Sequence, residues 1–244
     1  MVDKKAFRNL SYGLYIVSSL KDGKPVGCVV NTFAQVTSDP PQVSIAINKD
    51  NYTTQGILET GMFEVSVVHK EAAIELIGTF GFHTSKDFDK FADFKTDTSS
   101  QGIPYVAEYV CAHFSVKVNQ QLDLGTHIFF VGDVIEAEAV EAVEPMTYAY
   151  YHEVKGGRTP KNASSFSSAE LEAEGSAEGA TPSAADADAS AATGATGTKK
   201  TRIGWRCGLC GYIEFVDELP QDFVCPICGA PRELFERIEV EVDE

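Results

Sequence analysis

The sequence predicts a mainly β protein of two domains, a larger β-barrel with a few helices followed by a small domain built around four cysteines. Short segments rich in β-branched and aromatic residues recur between residues 13 and 135. A stretch of mainly Ala, Ser, Gly and acidic residues interrupts the chain at 167–200, and two Cys-x-x-Cys pairs follow it. A chain of 244 residues suffices for one sizeable domain and one small one. We therefore expect domains at 1–166 and 201–244, joined by the segment 167–200.

The strands of the larger domain are predicted from short apolar runs with turn-forming residues on both sides. They lie at residues 13–18, 27–31, 42–48, 62–68, 112–118 and 127–135. Apolar spacing of three or four residues predicts helices at about 4–10, 52–60, 70–78 and 145–154. Many short strands with few helices are typical of a closed or nearly closed β-barrel with helical decoration.

The segment 167–200 is predicted to be a flexible linker. Its 34 residues include one large apolar residue, Leu171. Such a segment cannot bury enough apolar surface to offset the entropy of ordering it. As a Gly/Ser-like coil it would span about 30 Å root-mean-square, which lets the small domain reach much of the larger one.

The formal net charge is −16, and neither domain is basic. Nucleic acid is therefore not expected as a partner, because affinity for the phosphate backbone depends on clustered Lys and Arg. The first residues hold no apolar run of signal-peptide length, and no later run approaches the roughly 18 residues of a membrane helix. We expect a cytoplasmic protein that does not bind membranes.

Six cysteines in 244 residues are too few for a disulfide framework. Cys207 with Cys210, and Cys225 with Cys228, form two Cys-x-x-Cys pairs separated by fourteen residues. Two such turns can direct four thiolates at one tetrahedral metal ion, which makes this a strong signal for a metal site. The two remaining cysteines, Cys28 and Cys111, are expected to be ordinary half-buried strand residues.

The residues around the cysteine pairs resemble a known family. WRCGLCGY at 205–212 and CPICGAP at 225–231 look like the two halves of a rubredoxin. In that family the four cysteines bind one iron that carries a single electron, so the resemblance implies an electron-transfer centre. The short separation resembles the shortened rubredoxin modules that are attached to other redox domains. A zinc ribbon, which the same spacing would serve, is the alternative.

Two polar segments of the larger domain follow predicted strands. VNTFAQVTS at 30–38 supplies small hydroxyls and amides, and NKDNYTTQ at 48–55 enters the predicted helix 52–60. Free N–H groups at a helix start, with Lys49 nearby, would suit a phosphate group. An ordinary N-cap followed by a turn would explain the same residues.

Residues 1–166 resemble the flavin-reductase-like, FMN-binding split-barrel family, in the branch of the ferric reductases and high-molecular-weight rubredoxins. The match lies in SYGLYIV at 11–17, residues 31–38 and 41–53, FGF at 80–82, DKF at 89–91, GTH at 125–127, FVGD at 130–133 and MTYAYYH at 146–152. Agreement at so many ordered positions is more specific than any single motif. The resemblance implies an FMN-binding split β-barrel, Greek-key-like and with a few helices, plus a rubredoxin-like domain.

The resemblance also implies which residues bind FMN. Those that would hold the flavin ring and ribityl chain are Asn31, Thr32, Gln35 and Thr37. Those that would surround the phosphate are Asn48, Lys49, Asn51 and Thr53. Lys90 would add positive charge, in one arrangement from the second subunit of a homodimer.

His127 is the catalytic candidate, because it resembles the family histidine placed near the nicotinamide or the flavin face. A hydrogen-bonded histidine at the start of a strand is the alternative. His83, His113 and His152 are expected at the surface or in packing. Tyr148 and Tyr151 lie on the last predicted helix, which would close over the flavin or simply pack against the barrel.

The function implied by the resemblance is that of an NAD(P)H-dependent oxidoreductase. NAD(P)H would deliver hydride to FMN, and the electrons would pass singly to the tail iron and on to an acceptor protein, with a flavodiiron nitric oxide or oxygen reductase expected. A free-flavin or ferric reductase with an accessory metal domain is the alternative enzyme. A binding or sensing module with flavin and structural zinc is the non-enzyme alternative. NADH and NADPH both stay open, because the sequence holds no dinucleotide fingerprint.

Overall fold

The structure, a computed structural model, describes residues 2–155, 159–160, 163, 200–208, 210, 212–226 and 228–242. Within these ranges no helix combines the length and the apolar character needed to cross a membrane. The predicted linker 167–200 lies outside the described residues except for Lys200, which begins a strand.

Nine strands make up the larger domain as the structure describes it. They are β1 (Tyr15–Lys21), β2 (Lys24–Val30), β3 (Ala34–Ser38), β4 (Pro41–Asn48), β5 (Met62–Val68), β6 (Thr96–Thr98), β7 (Pro104–Val106), β8 (Val110–Asp123) and β9 (His127–Ala139). Seven of them form one antiparallel sheet in the order β2-β1-β5-β8-β9-β4-β3, and β6 pairs with β7. The end strands β2 and β3 each pair with one neighbour, so the sheet does not close. The predicted mainly β class with a nearly closed barrel is confirmed.

Three α-helices accompany the sheet in the described residues: α1 (Tyr52–Thr60), α2 (Ile74–Phe82) and α3 (Tyr148–Glu153). The first of these lies where the sequence predicts it, because both of its ends are determined locally. The Asn51 side chain accepts a hydrogen bond from the Thr53 amide at 3.0 Å and caps the first turn. Gly61 ends the helix at a φ of 68°, a left-handed conformation that favours glycine.

The other predicted helices are shifted or shorter. Helix α2 begins four residues later than predicted, because the Lys70 amide donates to the distant Glu144 carbonyl at 2.8 Å. Helix α3 begins only at Tyr148, since Met146 still donates to the Val68 carbonyl at 2.8 Å as part of the extended chain. Residues Lys4–Asn9 form a 3-10 helix where a helix is predicted at 4–10. Each predicted helix exists, and long-range hydrogen bonds decide where α2 and α3 begin.

Successive side chains along the strands point to opposite faces of the sheet, and each face forms its own hydrophobic core. On β1, Ile16 packs in the outer core and the next residue, Val17, packs in the inner core. The inner core fills the barrel, with Phe130 among its buried residues. The outer core holds the apolar faces of α2 and α3, including Phe80 and Tyr151. The two cores therefore share the sheet as a common wall.

Strands β8 and β9 bend where the pairing shifts register. One shift lies between Ser115 and Val116, and the second lies between Val118 and Gln120, where Val118 pairs with Gly132. A Cβ atom at Gly132 would lie 2.5 Å from Val116 Cγ1 and 2.7 Å from the Lys117 carbonyl oxygen. Only glycine fits this close approach. Beyond the bend, the tips of both strands at residues 119–126 are exposed.

A small three-stranded sheet forms the tail domain. Its strands are β10 (Lys200–Cys207), β11 (Ile213–Glu214) and β12 (Phe235–Val242), in the order β11-β10-β12. Its buried cluster consists of Cys207, Cys210, Leu219, Cys225, Ala230 and Phe235. The cysteines thus form much of the core of this domain.

A buried polar network joins β5 and β8 inside the larger domain. The Glu64 carboxylate is completely buried and accepts hydrogen bonds from the Ser99 and Ser115 hydroxyls at 2.7 and 3.0 Å. It also lies 2.8 Å from His113 Nε2, and the Tyr105 ring stacks on that imidazole with 3.6 Å between centroids. His113 is therefore a packing residue, as predicted.

We expect Glu64→Ala to lower the free energy of unfolding by about 3–5 kcal/mol, because it leaves buried donors without their acceptor. Glu138→Ala is the matched control, since Glu138 lies opposite His113 on β9 but is exposed. Its loss should stay below about 0.5 kcal/mol. Urea unfolding of both variants checks this, and equal losses would contradict a stabilising role for the network.

Candidate functional site

A pocket opens to solvent between the ends of β2 and β4 and the helices α2 and α3. Its lining is Leu14, Cys28, Val29, Val30, Asn31, Ala46, Ile47, Asn48, Asn51, Ile77, Gly81, Phe82, His127, Tyr148, Tyr151, Pro160 and Ala163. The apolar lining comes from α2, α3, β2 and β4, and the polar groups lie at the ends of β2 and β4, at the start of β9 and at the start of α1. This division is typical of a pocket for a cofactor with an apolar ring and a polar chain.

The polar side of the pocket contains four of the predicted site residues. Asn31 at the end of β2, Asn48 at the end of β4, Asn51 and His127 all line it. The strand pairing explains two of these positions, because Asn48 lies directly opposite His127 where β4 meets β9. Residues far apart in the sequence are thus brought together at one edge of the sheet.

The start of α1 provides a fitting seat for an anion. Asn51 caps the helix and lines the pocket, so the positive end of the helix dipole lies at the pocket wall. The Thr53 hydroxyl is buried and makes no hydrogen bond within the described part of the chain. Its neighbours include the Cys28 thiol, a weak hydrogen-bonding partner that also lines the pocket. Thr53 itself is not among the residues that line the pocket, but a buried hydroxyl at a helix start with only a thiol as its neighbour fits the phosphate of FMN.

Both predicted lysines are engaged with other groups. Lys49 is partly exposed and its Nζ lies 2.6 Å from the Asp123 carboxylate. Lys90 is buried and donates to the carbonyl oxygens of Gly27 and Phe80, at 2.8 and 3.0 Å. Burial lowers the pKa of Lys90 to about 8, although the nearby Cys28 thiol acts in the opposite direction. Neither lysine lines the pocket as the structure describes it.

His127 begins β9 and lines the pocket. Its Nδ1 atom lies 2.9 Å from the Thr126 hydroxyl. Burial lowers the pKa of His127 below its ordinary value, which favours the neutral imidazole. A neutral ring at this position can accept or donate a hydrogen bond without adding charge.

Three other predicted contacts lie away from the pocket lining. The Thr32 hydroxyl bonds with the backbone of Ala46, donating to its carbonyl at 2.8 Å and accepting from its amide at 3.1 Å. Gln35 and Thr37 lie on the exposed edge strand β3. The Thr37 hydroxyl donates to the Pro40 carbonyl. Contact of these side chains with a flavin stays a prediction.

Sequence reasoning missed the apolar half of the pocket. Ile77, Gly81 and Phe82 from α2 line it, as does Cys28, which had been expected to be an ordinary strand residue. Tyr148 and Tyr151 line it as well, and closure of α3 over a ligand stays a prediction. The apolar spacing of α2 indicates that one face of the helix is buried. It does not indicate which part of the protein that face contacts, so it could not identify these residues as pocket lining.

The four predicted metal ligands come together in the tail domain. Their ligand atoms all lie within 4.8 Å of one another. The Sγ atoms of Cys207 and Cys228 are 3.6 Å apart, and those of Cys210 and Cys225 are 3.5 Å apart. Metal–sulfur bonds of about 2.3 Å in a tetrahedron place sulfurs about 3.8 Å apart, whereas a disulfide needs about 2.05 Å. The cluster therefore fits one tetrahedral metal ion.

One side chain takes part in both sites. Phe82, the last residue of α2, lines the pocket of the larger domain. The same phenyl ring packs against the buried cluster that contains Cys207, Cys210 and Cys225. The four-cysteine domain therefore contacts the larger domain at the rim of the pocket.

Comparison with known proteins agrees with both halves of the structure. The flavin reductase like domain family matches residues 7–157, and the rubrerythrin, rubredoxin-like domain family matches residues 205–236. The high molecular weight rubredoxin of Moorella thermoacetica is 36% identical over 97% of this chain and 100% of its own length. The ferric-chelate reductase (NAD(P)H) of Archaeoglobus fulgidus is 41% identical over 68% of this chain and 98% of its own. The solved NADH:FAD oxidoreductase of Streptomyces globisporus has a TM-score of 0.55 at 26% identity, covering 62% of this chain and 93% of that one.

Fold and site together define a flavin-binding split barrel that carries a rubredoxin-like domain with a four-cysteine site for one metal ion. The chain belongs to the flavin reductase like domain family and, over nearly its whole length, to the high molecular weight rubredoxins.

We expect Thr53→Val to weaken FMN binding by about 10- to 100-fold, because a hydrogen bond to a charged group contributes about 1.5–3 kcal/mol. The flavin-free variant should be close to the wild type in stability, since the hydroxyl has only the weakly bonding Cys28 thiol as a neighbour. Thr54→Val is the matched control. Thr54 is equally buried, but its hydroxyl donates to the Asn48 carbonyl at 2.8 Å.

The control should lose about 1 kcal/mol of unfolding free energy, with a smaller loss of FMN affinity than in Thr53→Val. Fluorescence titration with FMN and urea unfolding measure the two quantities. Unchanged FMN affinity in Thr53→Val would exclude its hydroxyl from the phosphate seat.

The buried amine of Lys90 predicts a pH dependence of stability. Its folded pKa of about 8 lies below the unfolded value of about 10.4. Between these values the unfolded chain binds more protons, so the contribution of Lys90 to stability rises with pH. We expect the unfolding free energy of the wild type, minus that of Lys90→Met, to rise by about 2 kcal/mol from about pH 7.5 to about pH 10. Urea unfolding across this range checks the rise, and the exposed Lys117→Met should show none.

Proposed function

We propose that this protein is an NAD(P)H-dependent oxidoreductase that moves electrons from a flavin in the larger domain to an iron in the tail domain, and from there to an acceptor protein. The observation that carries this proposal is the presence of both sites in one chain, a pocket suited to FMN and a four-thiolate cluster. Support for NAD(P)H comes from the relatives, among them the ferric-chelate reductase (NAD(P)H) of Archaeoglobus fulgidus.

The reaction would convert one two-electron transfer from NAD(P)H into two one-electron transfers to the iron. Each NAD(P)H gives up a hydride, which is two electrons and one proton, and leaves as NAD(P)+. Cys207, Cys210, Cys225 and Cys228 would hold one iron, which would carry one electron at a time, so an acceptor would have to take up each electron before the next could follow. The flavin, when bound, is the group that accepts electrons in a pair and releases them singly.

The protein's own residues bind and orient these groups. Asn51, Thr53 and the start of α1 would hold the phosphate, and Asn31 and Asn48 would bind the polar part of the flavin. Ile77, Phe82 and Tyr151 would exclude water from the ring. His127 would contact the flavin or the nicotinamide as a neutral group, and it transfers no proton in this scheme.

For the final acceptor we propose a flavodiiron nitric oxide or oxygen reductase. The tail domain supports docking to a positively charged partner surface, since residues 201–244 contain four Lys and Arg against ten Asp and Glu. We also propose a homodimer located in the cytoplasm. The exposed tip of β8 and β9, where Leu122 and Leu124 are 58% and 56% exposed, supports a second copy as a partner. Sedimentation of the holoprotein at twice the mass of the chain would agree with a dimer.

A flavin or ferric reductase is the second candidate, and the 41% identity to the ferric-chelate reductase favours it. In that case the flavin would reduce its acceptor directly, and the tail domain would be accessory. The two candidates differ in whether the acceptor receives its electrons from the metal.

We expect the full chain, loaded with FMN and iron, to lose its flavin absorbance and then its iron absorbance after rapid mixing with NADH or NADPH. Cys225→Ser should keep the first phase, lose the iron band, and reduce the flavodiiron acceptor at least about tenfold more slowly, because one ligand of the metal is gone. Stopped-flow absorbance and metal content measure these quantities. Wild-type turnover in the variant would favour the second candidate, and stoichiometric zinc in place of iron would refute electron transfer through the tail.

A further inference from the structure

Helix α2 presents one of its faces to the tail domain. Glu75 in its first turn and Phe82 at its end are seven residues apart, which places them on the same side of the helix two turns from each other. Leu76, Ile77 and Phe80 point instead into the outer core. The helix therefore has a core face and a second face with an acidic group at one end and an aromatic ring at the other.

Phe82 on this second face contacts the four-cysteine domain. Phe82 packs against the cluster around Cys207, Cys210 and Cys225. This packing places the cysteine cluster of the tail against the end of α2.

Phe82 differs from an ordinary docking residue because it also lines the pocket. Because Phe82 contacts both the pocket and the cysteine cluster, it joins the two sites directly. Free movement on a linker gives an effective concentration of about millimolar between domains. A fixed contact instead makes the encounter part of the folded structure, so transfer does not wait for a collision.

We propose that Phe82 is a positioning residue that docks the four-cysteine domain at the rim of the pocket and so determines the rate of electron transfer within the chain. The kinetic half of this inference rests on the proposed function. The docking half does not, because it concerns a contact that exists before any electron moves.

The test uses the full chain loaded with FMN and iron, as wild type, Phe82→Ala, Phe82→Tyr and Phe88→Ala. Phe88 is the matched control: it is an exposed aromatic six residues further on, stacked on His83 at 4.5 Å between ring centroids. It belongs to neither the pocket lining nor the tail cluster as the structure describes them. Amide hydrogen exchange of residues 205–215 in the oxidised protein reports docking. Stopped-flow bleaching of the iron band, at several protein concentrations and corrected for flavin content, reports transfer.

We expect Phe82→Ala to increase exchange in 205–215 and to slow iron reduction by about tenfold or more, at a rate that stays independent of protein concentration because the domains remain joined in one chain. Phe82→Tyr should restore both quantities, and Phe88→Ala should change neither. Wild-type exchange in Phe82→Ala would overturn the inference, even with slower iron reduction, because the loss would then arise in the pocket.

The two proposals fail in different ways. Increased exchange in Phe82→Ala, together with no iron reduction in the wild type, would support docking and refute the proposed function. Increased exchange together with a wild-type rate of iron reduction would refute the positioning role, while the proposed function would stand.

Discussion

The close approach of β8 and β9 at Gly132 is the constraint on which the pocket depends. Because no side chain fits between Gly132 and the β8 backbone, the two long strands can bend there and still pair on both sides of the bend. Strand β9 then continues along β4 until His127 meets Asn48. That pairing brings the histidine, the end of β4 and the start of α1 to one edge of the barrel, where the polar half of the pocket forms.

The pocket is suited to bind an anion although the residues that line it include no lysine. The chain as a whole carries a formal net charge of −16. Lys49 is paired with Asp123, and Lys90 is buried against backbone carbonyls. We therefore expect neutral groups to bind the phosphate in place of the two lysines. These groups are the Asn51 cap, the Thr53 hydroxyl and the positive end of the α1 dipole. A neutral seat costs less to bury in the absence of ligand than an unpaired ammonium group would.

Helix α2 connects the parts of the molecule. Leu76 and Phe80 anchor it in the outer core, Ile77 and Gly81 form one wall of the pocket, and Phe82 touches the cysteine cluster. The ring of Phe80 also packs edge-on against Phe91 at 5.0 Å between centroids, which holds the end of the helix against the chain that follows it. A helix held this rigidly can define the geometry between two cofactor sites.

Local sequence pattern is enough to predict the mainly β class from alternation, α1 from the residues at its two ends, and the metal site from two turns that each contribute two sulfurs. The start of α2, the place of Phe82 and Cys28 in the pocket, and the partners of the two lysines depend on tertiary packing. Lys49 pairs with a residue 74 positions away, and Lys90 with a carbonyl 63 positions away. The physical reason is that periodicity records which side of an element is buried, whereas the group lying opposite depends on how distant segments pack together.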